Sequence, residues 1–255
     1  MLTVAFTGTI SKLFLKFACA EVKVVGLPYL LDALAEENRV GRGVITVSNH
    51  ISVLDDPLMW GILPWHYYLS SRKTRWTLGA SDIIFTNKIF SHILRNGQVI
   101  ETFRGDGIHQ KAVDLSIEKL NQGDWIHIFP EGKVNQVRSN PNGGLLRFKW
   151  GVAHMMLKSK ATPRVIPMYL EGFDDIMPSD RGFPRFIPRF GKRLRITFGD
   201  PSGVTEQVLA VQEAWKVDRS HGDADPEAQL RMSLADVLQQ AVKRLGDDVT
   251  GSKSS

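Results

Sequence analysis

The sequence has little cysteine and no cluster of metal-binding side chains. Its single cysteine, Cys19, excludes a disulfide bond within the chain. There is no CxxC pair and no pair of histidines at ligand spacing, so a structural zinc site has no support. We therefore expect no metal and no other cofactor. With 255 residues, 43% of them hydrophobic, the chain is long enough to bury a full core.

The sequence also lacks an uninterrupted apolar run of the roughly 20 residues that a membrane-spanning helix needs. In the first segment, MLTVAFTGTISKLFLKFACA, Lys12 and Lys16 lie inside the apolar stretch, whereas a secretory signal carries its positive charges ahead of it. The large apolar residues here share one stripe of a helix: Leu2, Phe6, Ile10, Leu13 and Phe17. This pattern predicts an amphipathic helix in a membrane interface, and a helix packed on the protein's own core is the alternative.

Acidic residues are outnumbered by basic ones, 27 against 32, which gives a net charge of +5. Such a balance weakly favours an anionic partner. Nucleic acid, acidic lipid and a phosphorylated substrate are all compatible with it.

Short apolar runs alternate with helical patterns along the chain. Strands are predicted at 43–48, 75–79, 97–102, 125–129, 164–170 and 193–198. Helices are predicted at 28–38, 54–63, 86–95, 108–121, 144–158, 205–215 and 227–245. This alternation predicts one α/β domain with a largely parallel sheet flanked by helices. We expect an amphipathic membrane-associated helix over 1–20, the α/β domain over 21–217, and a C-terminal loop, helix and frayed tail over 218–255.

The first candidate site follows the strand at 43–48, where His50 and Asp55 occur in SNHISVLDD. Ligands of open α/β sheets bind beyond the carboxyl ends of strands. If His50 lies in the loop before a helix, Asp55 in the first helical turn can accept its Nδ1–H and leave Nε2 as a base. The alternative for His50 is a hydrogen-bonded loop residue without a catalytic role. The alternative for Asp55 and Asp56 is a capping role at a helix N-terminus before Pro57.

Two further strands end in polar residues of the same kind. Arg104 and Gly105 follow the strand at 97–102, where an arginine beside a glycine turn is placed to bind phosphate; an exposed surface arginine is the alternative. The segment FPEGK follows the strand at 125–129 and presents Glu131 and Lys133 at a tight turn, which is otherwise a simple charged turn. VIPM, at 165–168, carries a proline typical of a strand edge or end.

In order, NHxSxxD, FxRG, FPEGK and VIPM resemble the four sequence blocks of the glycerolipid acyltransferase superfamily. DWIHIFPEGKVN and LRFKWG resemble the phospholipid–lysophospholipid transacylases within it rather than the relatives that use acyl-coenzyme A. The resemblance covers roughly residues 40–200.

The resemblance implies that His50, with Asp55, deprotonates the hydroxyl of a lysophospholipid. That hydroxyl attacks an acyl ester of a second phospholipid, so no coenzyme A is needed. It further implies remodelling of cardiolipin on mitochondrial membranes that face the intermembrane space, by a monotopic or peripheral enzyme.

The same resemblance implies roles in substrate binding for residues after the other strands. Arg104, beside Gly105, binds a lipid phosphate. Glu131 and Gly132 shape the wall around the glycerol group, and Lys133 is a further headgroup ligand. The nearest alternative is an acyl-coenzyme A-dependent lysophosphatidate acyltransferase, and a non-catalytic lipid-binding protein is a more distant one.

The segment 181–195, RGFPRFIPRFGKRLR, contains six cations and no acid. The cations are Arg181, Arg185, Arg189, Lys192, Arg193 and Arg195, and the apolar residues between them are Phe183, Phe186, Ile187 and Phe190. Cations beside apolar residues suit an anionic bilayer surface. Binding to single-stranded nucleic acid and a solvated loop are the alternatives; because Pro184, Pro188 and the aliphatic character favour lipid, we expect no nucleic-acid partner. We predict that this segment and the N-terminal helix dock on an anionic leaflet.

Overall fold

A seven-stranded sheet with the order β1-β7-β6-β2-β5-β3-β4 forms the centre of the computed structural model, which describes residues 2–39, 41–136, 138–217 and 226–251. All neighbouring strands are parallel except β6 and β7. The strands are β1 (Cys19–Val25), β2 (Val44–Ser48), β3 (Trp76–Ala80), β4 (Val99–Thr102), β5 (Trp125–Ile128), β6 (Arg164–Glu171) and β7 (Lys192–Phe198). The predicted α/β class with a mostly parallel sheet is confirmed.

Helices cover both faces of the sheet. They are α1 (Leu2–Phe17), α2 (Leu27–Ala33), α3 (Asp55–Met59), α4 (Ser81–Ile84), α5 (Lys88–Asn96), α6 (Lys111–Asn121), α7 (Gly151–Lys158), α8 (Phe173–Ile176), α9 (Pro201–Val217) and α10 (Pro226–Gly251). Short 3-10 helices occupy Glu36–Arg39, Trp60–Ile62 and Trp65–Leu69.

Strand β2 shows why the sheet has two cores. All five of its residues are buried, as expected for a central parallel strand. Val44 packs with Leu15 of α1 and Leu58 of α3, whereas its neighbour Ile45 packs with residues of α6, α7 and α10 such as Leu238. Successive side chains of a strand point to opposite faces, so one apolar run serves both cores.

All six predicted strands are present, but β1 was missed. CAEVKVV has no buried residue and pairs with β7 alone, and the charged Glu21 and Lys23 interrupt its apolar residues. The predicted helix at 144–158 begins only at Gly151, and the one at 54–63 is α-helical only over Asp55–Met59.

The C-terminal prediction is wrong in one part. The tail from 246 was expected to fray, yet α10 continues to Gly251 and buries Val249. The loop expected from 218 to the last helix lies outside the described residues up to position 225, and α10 begins at Pro226.

Helix α1 has two faces. Val4, Gly8, Ser11 and Leu15 are buried against the protein, with the Gly8 backbone against the Tyr68 ring. The predicted apolar stripe lies on the other face and is exposed at every position: Leu2, Phe6, Ile10, Leu13 and Phe17. Among the described residues, no helix is long and apolar enough to cross a membrane.

Candidate active site

The structure brings His50 and Asp55 into direct contact. His50 lies in the loop after β2, and its Nδ1 is 2.9 Å from Oδ2 of Asp55, the first residue of α3. The same Oδ2 accepts hydrogen bonds from the backbone N–H groups of Ile51, at 2.7 Å, and Ser52, at 2.8 Å. With Nδ1 donating to the carboxylate, Nε2 is left as the proton acceptor. The carboxylate therefore fixes both the loop and the tautomer of the imidazole.

The two side chains of this dyad differ in exposure. The Asp55 side chain is fully buried, whereas that of His50 is 20% exposed and lines a cavity. Burial raises the pKa of Asp55, and this outweighs the hydrogen bonds from His50, Ser52 and Ile51, which lower it. A buried carboxylate behind a partly exposed imidazole is the arrangement that activates a hydroxyl nucleophile.

Asp56 has a different environment from its neighbour. Its carboxylate pairs with the Arg75 guanidinium at the start of β3 and accepts the Trp60 indole N–H at 3.2 Å. Burial alone would raise the pKa of Asp56, but the charge and hydrogen bonds of Arg75 hold it below its ordinary value. Asp56 makes no helix-capping hydrogen bond, so the expected capping role is wrong, and its role is to join α3 to β3.

Glu131 fixes the His50 loop through hydrogen bonds. Its Oε1 accepts the backbone N–H of His50 at 2.8 Å, and its Oε2 accepts from the Asn135 side chain at 2.6 Å and the Leu146 N–H at 2.8 Å. Asn135 also donates its backbone N–H to the His50 carbonyl at 2.6 Å. The Glu131 side chain is buried and both of its oxygens are occupied. Its geometry therefore favours positioning the loop over contacting a substrate.

Aromatic rings hold the imidazole from the side. The Phe129 ring stacks on His50 with centroids 4.0 Å apart, and His127 packs edge-on against Phe129 at 4.5 Å. His127 is fully buried, and its Nδ1 is 2.8 Å from the Thr46 hydroxyl. Burial lowers the pKa of His127 to about 3. It is thus a neutral structural histidine, and His50 is the one that faces the cavity.

The cavity in front of His50 has a volume of about 790 Å³ and mostly apolar walls. It extends from the dyad, past Trp60 and Leu63, to the inner face of α1 at Val4 and to Ile93 of α5. Arg104, Gly105, Gly132 and Lys133 also line it. The positions predicted after three different strands therefore share one cavity, apart from Asp55 and Glu131, which support it from behind.

The cationic residues of the cavity are paired to different degrees. Arg104 is 45% exposed, with its Nε 3.6 Å from an Asp82 carboxylate oxygen. Gly105 has φ +96°, a backbone conformation that glycine adopts without strain. Arg75 and Lys149 line the cavity as well, and the sequence analysis missed both as site residues. Arg75 gave no signal, whereas Lys149 lies in the LRFKWG stretch.

The predicted membrane-docking residues form one surface. Phe183, Phe186, Ile187 and Phe190 are exposed in the loop before β7. The loop adjoins α1, because the rings of Phe190 and Phe14 lie 6.0 Å apart and Gly191 N–H donates to the Ala18 carbonyl at 2.7 Å. Arg185 and Arg189 are exposed in the same loop, and Lys192 is half-buried at the start of β7.

Part of this surface was missed. Arg193 and Arg195 belong to β7, within the strand predicted at 193–198, and lie near carboxylates of Glu21 and Glu171. Beside α1, helix α5 adds a second exposed apolar group that the sequence analysis did not single out: Ile89, Phe90 and Ile93.

The histidine–carboxylate dyad at the edge of the sheet, open to an apolar cavity, can activate a hydroxyl for attack on an ester. A family model described as Acyltransferase matches residues 28–171, and the chain belongs to this family. The predicted superfamily is therefore confirmed.

Individual relatives show which members of this family the chain resembles. The chain is 35% identical over 242 residues to Tafazzin of Drosophila melanogaster, across 95% of this chain and 59% of that protein. It is 40% identical over 183 residues to the Taffazin of Dictyostelium discoideum, across 70% and 61%. It is also 40% identical over 170 residues to N-acylphosphatidylethanolamine synthase of Arabidopsis thaliana, across 66% and 58%. The chain thus spans about three fifths of the length of these relatives.

Among solved structures, the 1-acyl-sn-glycerophosphate acyltransferase PlsC of Thermotoga maritima is similar, with a TM-score of 0.55 and 20% identity. The match covers 95% of this chain and 78% of that one. It shows that the two chains share a fold.

Proposed function

We propose that this protein is a coenzyme A-independent transacylase that moves acyl chains between phospholipids and lysophospholipids and remodels cardiolipin. The observation that carries this proposal is the contact between His50 and the buried Asp55 at the wall of an apolar cavity. The similarity to tafazzins supports the choice of reaction within the acyltransferase family.

The dyad performs the transfer in two steps. The hydroxyl of the bound lysophospholipid gives its proton to Nε2 of His50 while its oxygen attacks the ester carbonyl of the donor phospholipid. The tetrahedral adduct then collapses, the donor's glycerol oxygen leaves and takes the proton from the imidazolium, and a new lysophospholipid is released. Asp55 stabilises the imidazolium between the two steps. No carrier of the acyl group is required.

Substrate contacts are assigned from the cavity wall. Arg104, beside the Gly105 turn, binds a lipid phosphate, and Gly132 and Lys133 lie next to the headgroup. Glu131 acts through the His50 loop, because its oxygens already accept three N–H groups. The acyl chains occupy the apolar part of the cavity toward Val4 and Ile93.

The exposed apolar surface supports docking on an anionic bilayer. The outer stripe of α1 and the loop at 183–190 adjoin each other, and Arg185 and Arg189 lie beside the exposed rings. Each cation near an anionic surface contributes about 1 kcal/mol, and apolar side chains add insertion into the interface. The inner face of α1 lines the cavity while its outer face meets the lipid, so acyl chains have a short path between α1 and α5. We place the enzyme peripherally on mitochondrial membranes that face the intermembrane space.

The proposal is tested with purified protein and vesicles that contain acyl-labelled cardiolipin and lysophosphatidylcholine, without coenzyme A. Labelled phosphatidylcholine should appear with the wild type and not with His50→Ala. Folding of the variant is checked by its denaturation curve. Absence of transfer by the folded wild type under these conditions would refute the proposal.

The same assay separates the alternatives. A lysophosphatidate acyltransferase would transfer only when acyl-coenzyme A is added. The similarity to N-acylphosphatidylethanolamine synthase points to a second acceptor, the amine of phosphatidylethanolamine, which would give an amide product stable to mild alkali. A lipid-binding protein without activity would bind vesicles equally well with and without His50→Ala and would form no product.

A further inference from the structure

We infer that Lys149, together with Lys133, forms a second phosphate-binding subsite in the cavity, separate from Arg104. This inference rests on the proposed function, because a transacylase holds two phospholipid-type molecules at once and each carries a phosphate. An acyltransferase that takes its acyl group from a thioester needs a phosphate subsite for only one glycerolipid.

The segment that carries Lys149 is held rigidly. The backbone N–H of Lys149 donates to the Pro130 carbonyl at 2.8 Å. Three residues earlier, the Leu146 N–H donates to the Glu131 carboxylate at 2.8 Å. Between them, Phe148 is buried and donates its N–H to the Gln239 side chain of α10 at 3.0 Å. The backbone of Lys149 is therefore fixed against the turn after β5.

Gly132 makes room for the lysine side chain. Its φ of +73° belongs to the region that favours glycine. A Cβ atom at this position would lie 2.7 Å from Cε and 2.8 Å from Nζ of Lys149. The stem of Lys149 therefore lies directly across the turn, and both residues line the cavity that His50 lines.

Neither lysine forms an ion pair with a carboxylate in the part of the chain that the structure describes, whereas Arg75 and Arg104 lie beside Asp56 and Asp82. Both lysines line the same cavity, and Lys149 Nζ lies beside Gly132. Ammonium groups with no ion pair among the described residues, on the wall of one cavity, favour a bound anion. Phosphate accepts charge-assisted hydrogen bonds from both.

The sheet order separates this pair from Arg104. Lys133 follows β5, which neighbours the strand that precedes His50. Arg104 follows β4, and β3 lies between β4 and β5. Strands are spaced by about 4.8 Å, so the ends of β4 and β5 are about 10 Å apart. This separation suits two phosphates, one close to the base and one farther along the edge.

Binding stoichiometry tests the inference without turnover. Calorimetry uses short-chain lysophosphatidate as the probe, monoacylglycerol of the same chain as the uncharged comparison, and inorganic phosphate to separate the headgroup from the free ion. The wild type should bind two molecules of lysophosphatidate, and Lys149→Met and Arg104→Met one each. At the affected site, affinity should fall about tenfold or more. Lys149→Arg should restore binding, and Lys111→Met, an exposed lysine outside the cavity wall, should change nothing.

Kinetics provides the second measurement. Lys149→Met should raise KM for one of the two lipids, donor or acceptor, about tenfold and leave the other within twofold. The inference is overturned if the wild type binds a single lysophosphatidate, if Lys149→Met binds like the wild type, or if both KM values rise together with weaker vesicle binding. Failure of the proposed function has a different signature, namely no transfer by a wild type that still binds two lysophosphatidates.

Discussion

Asp55 and Asp56 are adjacent carboxylates with different partners, and the same isosteric change at each should separate catalysis from stability. The Nδ1–H of His50 and the N–H groups of Ile51 and Ser52 all donate to one oxygen of Asp55, Oδ2. In Asp55→Asn the amide oxygen takes this position, because an NH₂ group there would face three donors, and the NH₂ group takes the position of Oδ1. The tautomer of His50 is then kept, but the negative charge that stabilises the imidazolium is lost.

The expected loss is about a thousandfold in kcat, because the imidazolium formed during transfer loses its buried counterion. That factor corresponds to about 4 kcal/mol in the activation free energy. KM should change little, because Asp55 is fully buried behind the imidazole and does not contact the cavity.

Asp56→Asn should act on stability instead. It removes the counterion of Arg75, whose side chain is only 12% exposed. Removing one partner of a fully buried ion pair lowers the free energy of unfolding by about 3–5 kcal/mol. Here the residual exposure and the remaining bond from Arg75 to the Gly97 carbonyl reduce the expected cost to about 2 kcal/mol. Activity per folded molecule should stay within a few-fold of the wild type.

The measurements are initial rates of acyl transfer in vesicles and urea denaturation of both variants. The reasoning would be refuted by equal loss of kcat in two folded variants, or by an Asp55→Asn variant that keeps a tenth of the wild-type rate. The first result would mean that the two carboxylates share one function. The second would mean that the charge of Asp55 does not assist the imidazole.

Three further predictions follow from the same contacts. His127 has a pKa of about 3 in the folded protein and about 6.5 in the unfolded chain. The free energy of unfolding should therefore fall as the pH drops below 6.5, by about 2 kcal/mol at pH 5. His127→Gln should weaken this pH dependence in denaturation curves. Glu131→Gln should lower kcat while KM stays constant, whereas loss of a substrate contact would raise KM. Phe6→Glu combined with Phe186→Glu should abolish flotation with anionic vesicles, while Leu115→Glu, on the opposite face of the sheet, should not.

The strand ends were the predictable part of the site. His50, Arg104 and Lys133 each follow an apolar run that the sequence displays directly, and parallel strands bring such exits to one edge. The choice between the neighbouring carboxylates also followed from the motif spacing. In the structure Asp55 contacts His50 and has no exposed side-chain surface, whereas Asp56 pairs with Arg75 and is 19% exposed.

The parts that were missed depend on pairing between distant segments. Arg75 reaches Asp56 only because β3 lies beside β5, and the sequence gives no sign of which strands are neighbours. The Lys149 side chain reaches the cavity only because Gly132 has no Cβ atom in its path. Strand β1 follows α1 directly and pairs with β7, the last strand in the chain, so this contact spans most of the chain. Local patterns carry none of this information.

The fold also bears on a competition that every transacylase faces, because water can attack the donor ester in place of the lysolipid hydroxyl. The base that activates one will activate the other, so selectivity must come from excluding water. His50 is stacked on Phe129 and opens into a cavity whose far walls are Trp60, Leu63 and the inner face of α1. When the outer face of α1 lies on a bilayer, lipid rather than solvent borders the path to the base. Weakened docking of α1 should therefore raise the ratio of hydrolysis to transfer, a change that simple loss of substrate access would not produce.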